Sequence, residues 1–229
     1  FFIIVSFRSF SNDCGTTTVP LGTADGTFES CVGIASSINL NGQQGGVTCG
    51  GWNNAQGTAD SWQSPLGDNT MMNYAGLMPS SPDGGIFAGL WQNNNSYESF
   101  ETDIDNLSIG EKYTVTFYYA NAGSGEVFGG AVEDSAAVQV TFGSETKSTE
   151  KLKFLGNGNQ VWVETSLDFF ATATTQTLTF ASIPIIDVGS YMAIDGVRVT
   201  FIDNSNTPPV AADDGNALDE GSSATGNVL

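Results

Sequence analysis

From Glu111 onward, apolar and polar residues alternate with the two-residue period of a β-strand. Tyr113, Val115, Phe117 and Tyr119 are separated by Thr114, Thr116 and Tyr118, which sends one set to a core and the other outward. The same alternation returns in Val138, Val140 and Phe142, in Leu167 and Phe169, in Leu178 and Phe180, and in Val197, Val199 and Phe201. Glycine and asparagine clusters, NAGSGEVFGG at 121–130 and LGNGNQ at 155–160, separate these runs and suit tight connections. No stretch carries a helical period. The pattern predicts an all-β fold, an antiparallel β-sandwich of about eight strands, with a jelly roll the commonest way to arrange that number in two sheets.

Elsewhere the pattern breaks down. Between Gly42 and Asn95, glycine, asparagine, glutamine and serine dominate, punctuated by Trp52, Trp62, Tyr74 and Trp91. This reads as long irregular loops, where a sandwich usually carries its binding groups. After Phe201 the chain turns acidic and poor in apolar residues, with Pro208 and Pro209 marking a linker. The opening FFIIVSFRSF is too short to span a bilayer. It resembles the apolar core of a secretory signal peptide, with small residues at Ser9 and Ser11 and cleavage expected after Ser11. A first β-strand is the competing reading, because Arg8 interrupts the run. A lipid anchor at Cys14 is disfavoured by Asp13 before it.

Composition narrows the partners. Six lysines and arginines face 25 aspartates and glutamates, a formal charge of -19. Such a surface repels nucleic-acid phosphates and anionic lipid alike, so neither nucleic acid nor membrane insertion is expected. It favours cations, and calcium, which prefers oxygen ligands, is the natural one in an extracellular setting. Most of these carboxylates need do no more than keep the protein soluble. The three cysteines, Cys14, Cys31 and Cys49, leave one thiol over if a pair forms, and Cys31 with Cys49 is the favoured disulfide. No cysteine or histidine spacing suits zinc.

Catalysis has little to work with. The chain has no histidine, which removes the Ser/His/Asp and Cys/His arrangements. Ser148 to Lys151 spells S-x-x-K, but in a polar stretch between strands. A pair of carboxylates would suffice for glycoside hydrolysis, although sequence does not show which two would flank a bond. Asp103-Ile104-Asp105-Asn106 begins like a calcium loop, yet Leu107 breaks the ligand spacing and Thr114 stands where a bidentate glutamate is required. Gly123-Ser124-Gly125 lacks the third glycine of a phosphate loop.

Aromatic residues in polar surroundings are more suggestive. A pyranose presents apolar C–H faces rimmed by hydroxyls, so a sugar site needs flat aromatic surfaces beside amides and carboxylates. Trp91 with Asn93, Asn94 and Tyr97 supplies both kinds of group in one short segment, and Trp62 is a further candidate. Core packing is the competing reading for each tryptophan, and at Trp52, beside Gly50 and Gly51, it is the favoured one.

Several segments, in order, resemble a known family. DGTFES at Asp25–Ser30, GGW at Gly50–Trp52, SPDGGIFAGL at Ser81–Leu90, YESFETDIDNLSIGEKYTVTFYYA at Tyr97–Ala120 and YMAIDGVRV at Tyr191–Val199 are similar to pieces of galactose-binding-like jelly rolls. Those domains occur among carbohydrate-binding modules and secreted bacterial proteins. The resemblance implies a structural calcium held by Glu29 and Asp195, with backbone carbonyls completing its shell. The tail, Asn206–Leu229, is similar to the start of a cadherin-like adhesin repeat. The expected organisation is a signal remnant at 1–11, a jelly-roll domain at 12–203, and a linker with a truncated repeat at 204–229. The expected role is that of a secreted or cell-surface module, an excerpt of a longer protein, that binds a glycan or cell-surface polysaccharide without catalysis. A protein-binding adhesin domain, or the targeting module of an enzyme, is the alternative.

Overall fold

Alternation becomes strand wherever one face of a segment meets a core and the other meets water. The computed structural model describes residues 16–30, 50–63, 78–92, 96–124, 135–155, 159–183 and 190–202. The expected signal remnant, the Cys31–Cys49 bridge, Asn93, Asn94 and the acidic tail lie outside the described residues.

Among these residues there are thirteen strands and no helix: β1 (Thr16–Val19), β2 (Asn53–Gln56), β3 (Asp60–Gln63), β4 (Ile86–Gln92), β5 (Ser99–Ile104), β6 (Lys112–Ser124), β7 (Ser135–Ala136), β8 (Val138–Phe142), β9 (Glu145–Ser148), β10 (Leu152–Lys153), β11 (Val163–Phe170), β12 (Gln176–Ser182) and β13 (Ser190–Ile202). One antiparallel sheet runs β11-β6-β13-β4-β3, the second runs β2-β5-β12-β8-β9, and β10 pairs with β7 in a small ladder. The compact unit they build spans Thr16–Ile202. The architecture is the expected jelly-roll sandwich, with more and shorter strands than the alternation alone suggested.

The main core lies between the two sheets. The first contributes Leu90, Val115, Phe117, Met192 and Ile194, the second Phe100, Val140, Phe142, Leu178 and Phe180. Phe100 stacks on Phe180 at 5.3 Å, and the Trp52 ring meets Phe100 edge-on at 5.0 Å. Trp52 is therefore core, as its glycine neighbours suggested. A second cluster sits on the other face of the first sheet, where Trp62, Met78, Phe87, Ala120, Ala122, Tyr191 and Ala193 pack together under Trp91 and Trp162. That layer buries β4 on both faces. The expectation that Gly42–Asn95 is irregular is thus corrected, since IFAGLWQ forms an inner strand and Trp91 stands on it. A strand covered on both sides has no need to alternate.

Strand β13 has two neighbours along one side. Its first half pairs with β4, from Ser190↔Gln92 to Ile194↔Ala88, and its second half with β1, from Val199↔Val19 to Ile202↔Thr16. Between them the register slips at Asp195/Arg198, a bulge. The loop Asp25–Ser30 fills this gap, and the Val197 N–H donates to the Gly26 carbonyl at 2.8 Å. Only glycine fits at 26, because a Cβ there would lie 1.9 Å from the Val197 oxygen.

The free edge of β11 is closed by side chains of β9. Lys147 donates to the Asp168 carbonyl, and the Phe170 N–H donates to Glu145 Oε2 at 3.2 Å. Lys147 and Glu145 also pair with each other at 3.0 Å.

Candidate functional site

Two groups of carboxylates lie at the first sheet, one around the buried Asp195 and one around the buried Asp60. At the gap beside β13, Asp25 organises its loop by accepting the Thr27 N–H at 3.0 Å, the Thr27 hydroxyl at 2.7 Å and the Ser30 N–H at 2.7 Å. Burial would raise its carboxyl, but the bonds from Thr27 and Ser30 outweigh burial and hold it below the usual range. Phe28 adopts a left-handed backbone, φ 57°, and packs its ring on Trp52 at 5.6 Å. The strain at Phe28 is held by that packing. Glu29 then reaches the start of β4, where its Oε1 accepts the Gly85 N–H at 2.6 Å and the Ile86 N–H at 2.8 Å.

Asp195 occupies the bulge opposite and is fully buried, with 0% of its surface exposed. Its Oδ1 accepts the Gly196 N–H at 2.8 Å, whereas Oδ2 has no hydrogen-bond partner. Burial pushes the carboxyl up to about 7. The Ser81 hydroxyl and the Gly196 N–H pull against this, and Asp83 and Glu29 add repulsion. Glu29 is the weakest of these influences on Asp195. Among the described residues, no three Asp, Glu, Cys or His side chains converge to hold a metal. An ion here would take its remaining ligands from backbone oxygens and hydroxyls.

The second group surrounds the hairpin between β4 and β5. Gln92 and Tyr97 form an antiparallel bridge, and the Glu98 N–H donates to the Trp91 carbonyl at 3.0 Å. The Glu98 side chain turns back, so that its Oε2 accepts the Trp91 N–H at 2.7 Å, and Thr58 donates weakly to Oε1 at 3.4 Å. Beneath lies Asp60, 9% exposed. Tyr191 donates to Asp60 Oδ2 at 2.7 Å and accepts the Trp62 indole N–H at 2.5 Å. The Tyr191 ring lies over Gly89, where a Cβ would come within 2.3 Å of it, so β4 has no side chain there. Burial raises Asp60 to about 6 against the pull of the Tyr191 hydroxyl. Burial likewise raises Glu98 to about 7, opposed by the Trp91 amide and reinforced by Asp60.

Of the residues expected to meet sugar, Trp91 and Tyr97 stand on the two arms of this hairpin, both half-buried, but the Gln92–Tyr97 bridge turns Tyr97 to the face opposite Trp91. Trp62 is corrected to a core position, 3% exposed, because its indole is spent on Tyr191. Trp162 covers the outer cluster, edge-on to Phe87 at 5.3 Å, with its N–H donating to the Pro79 carbonyl. Asp60 and Glu98 escaped sequence reasoning, since 38 positions of chain separate them. The available signal was local: Asp60 and Trp62 share a strand face, an acid alternating with a large aromatic.

No protein-family model matches the chain, and no curated protein matches it. Solved structures do resemble it. A cleaved adhesin domain of Lys-gingipain from Porphyromonas gingivalis is 14% identical, with 81% of this chain and 99% of that chain covered, at a TM-score of 0.43. The CBM22-1 xylan-binding domain from Paenibacillus barcinonensis Xyn10C is 10% identical over 70% of this chain and 91% of that one, at 0.41. The enzymatically active domain of bacteriophage CBA120 tailspike protein 4 is 12% identical over 79% of this chain, also at 0.41. This chain spans only 21% of the tailspike's length. At such distances the functional reading rests on the site's own residues.

Proposed function

We propose that this domain is a non-catalytic, extracellular glycan-binding module of a secreted or cell-surface protein, with Trp91 and Tyr97 as its sugar platform. One observation carries the reading: a hairpin closed by the Gln92–Tyr97 bridge bears half-buried aromatic residues on both arms, Trp91 facing the carboxylate of Glu98, whose position is fixed by the Trp91 amide, and Tyr97 on the other face. Rings of this kind cover the C–H faces of a pyranose, and the carboxylate and nearby hydroxyls read its rim. One oxygen of each acid is already engaged, Asp60 Oδ2 by Tyr191 and Glu98 Oε2 by the Trp91 amide. Calcium at Glu29 and Asp195 belongs to the same proposal, as a structural ion. The unpartnered Asp195 Oδ2, with Glu29 among the charges that act on it, suits a hard cation, which would tie the Asp25–Ser30 loop to β13.

The test is a glycan array probed with the intact domain, followed by titration of each hit against Tyr97→Ala. Loss of one exposed stacking face should weaken binding about tenfold while the melting temperature stays within a few degrees. An array without hits, with cell adhesion that free sugars do not inhibit, would overturn the glycan reading in favour of a protein-binding adhesin domain.

A further inference from the structure

We propose that Trp162 and Tyr118 form a second glycan subsite on the face of the first sheet that bears Trp91, so that the ligand is an extended, neutral polysaccharide chain long enough to engage both. This rests on the glycan-binding reading at Trp91 and adds to it a second contact and a substrate class.

Facing comes first. Val163 pairs with Tyr119, and Glu164 with Tyr118. Val163 and Tyr119 pack in the core between the sheets, so Trp162, Glu164 and Tyr118 point to the opposite side. The outer cluster agrees, because Trp162 and Trp91 both pack against it. Tyr97 stands on the other face of its hairpin, so the indole that accompanies Trp91 on this face is Trp162.

Access is the second observation. Trp162 and Tyr118 are both half-exposed, and Glu164, Ser166 and Arg198 around them are exposed. One step beyond the Val163↔Tyr119 pair, Trp162 comes opposite Ala120 and diagonal to Tyr118. Diagonal neighbours on adjacent strands lie roughly 7–8 Å apart, close enough for both rings to meet one pyranose. Their polar atoms are already engaged, since Trp162 donates its indole N–H to the Pro79 carbonyl at 3.1 Å and Tyr118 bonds to Glu164. What they offer outward is ring surface. The rim is polar and fixed, with Arg198 paired to Glu164 and Thr116 bonded to Ser166 at 2.8 Å. The bond from Arg198, with a weaker one from Tyr118, holds the Glu164 carboxyl below its usual range, so it is an ionised acceptor for sugar hydroxyls.

Spacing gives the ligand class. Trp91 pairs with Tyr191 on β13, and Ala193, two residues on, pairs with Ala120 on β6, the residue opposite Trp162. Three strand separations and two residues of rise put the two tryptophans roughly 16 Å apart along the sheet. One sugar ring cannot span that distance, whereas a chain of several units can. A chain held at one point meets the second subsite intramolecularly, which raises affinity without a new kind of contact. A protein partner suits this face less well, because the middle of such an interface is depleted of charges, and the Arg198–Glu164 and Lys112–Asp168 pairs stand here. The formal charge of -19 repels an anionic polymer, which leaves a neutral polysaccharide.

The experiment is calorimetric titration of the full chain with neutral xylan, galactan and glucan oligosaccharides, from disaccharide to hexasaccharide. The expected result, in at least one series, is a hexasaccharide bound about tenfold or more tighter than the disaccharide, with little dependence on salt. Trp162→Ala and Tyr118→Ala should each cut that ratio to about threefold or less, with thermal melts confirming that the variants fold. Tyr118 lies outside the outer cluster, so Tyr118→Ala serves if Trp162→Ala does not fold. Equal affinity for disaccharide and hexasaccharide would overturn the second subsite and leave the glycan reading standing. A chain-length gain that survives the variants would overturn it too. Binding of none of the three series, beside an empty glycan array, would remove the glycan reading itself and the second subsite with it.

Discussion

Replacing Asp195 by asparagine separates the burial of this carboxyl from any ion it holds. Its value rises from 3.8 to about 7 on folding in the absence of a cation. A raised acid is more stable protonated. The stability it lends is therefore complete below the unfolded value, falls as pH climbs from about 4, and is gone above about 7. Three units correspond to about 4 kcal/mol. Asparagine imitates the protonated carboxyl in shape and can still accept the Gly196 N–H. In chelator at pH 8, Asp195→Asn should therefore be more stable than the parent by up to about 4 kcal/mol, or about 10 °C in melting temperature. At pH 4 the two should coincide. Calcium should narrow the gap at pH 8 and put the parent ahead at lower pH, where the variant's advantage is smaller. At a hundredfold excess over its dissociation constant it would stabilise the parent by about 2.7 kcal/mol and the variant not at all. Urea unfolding of both proteins from pH 4 to 8.5, with calcium and with chelator, reads all four limbs. A variant less stable than the parent at pH 8 in chelator would refute the burial argument, and a parent melt indifferent to calcium would refute the ion.

Gly89→Ala should cost about 2–4 kcal/mol, because the new methyl displaces the Tyr191 ring and breaks its bond to Asp60. Pairing it with Tyr191→Leu should recover part of that loss in a double-mutant cycle, whereas simple additivity would show that the ring is not the obstacle. Arg198→Ala removes an exposed pair with Glu164 and should change stability by less than about 1 kcal/mol in chemical denaturation.

Legibility in the sequence followed burial. Tyr113 to Tyr119 and Val138 to Phe142 alternate because each has one face on the core and one toward polar neighbours, and both are strands as expected. Ile86 to Gln92 does not alternate, because Trp62, Met78 and Trp162 roof its outer face. A second core on the far side of a sheet erases the signal that marks a strand. The expectation that Glu29 and Asp195 share an ion came from the family resemblance, as no spacing joins positions 166 apart. Asp60 and Glu98 meet only because β3, β4 and the hairpin after β4 are folded against one another.

The closed edge of β11 bears on how many copies of this domain can share a small space. An open strand edge is a template on which like molecules polymerise, and crowding favours that in proportion to concentration. Lys147 and Glu145 occupy the groups of Asp168 and Phe170 that an incoming strand would need. Both guards are charged, and they hold each other in place, so an approaching strand must dismantle an ion pair before its first bond forms. Dense arrays of the domain can then stand side by side on this flank without fusing into a continuous sheet.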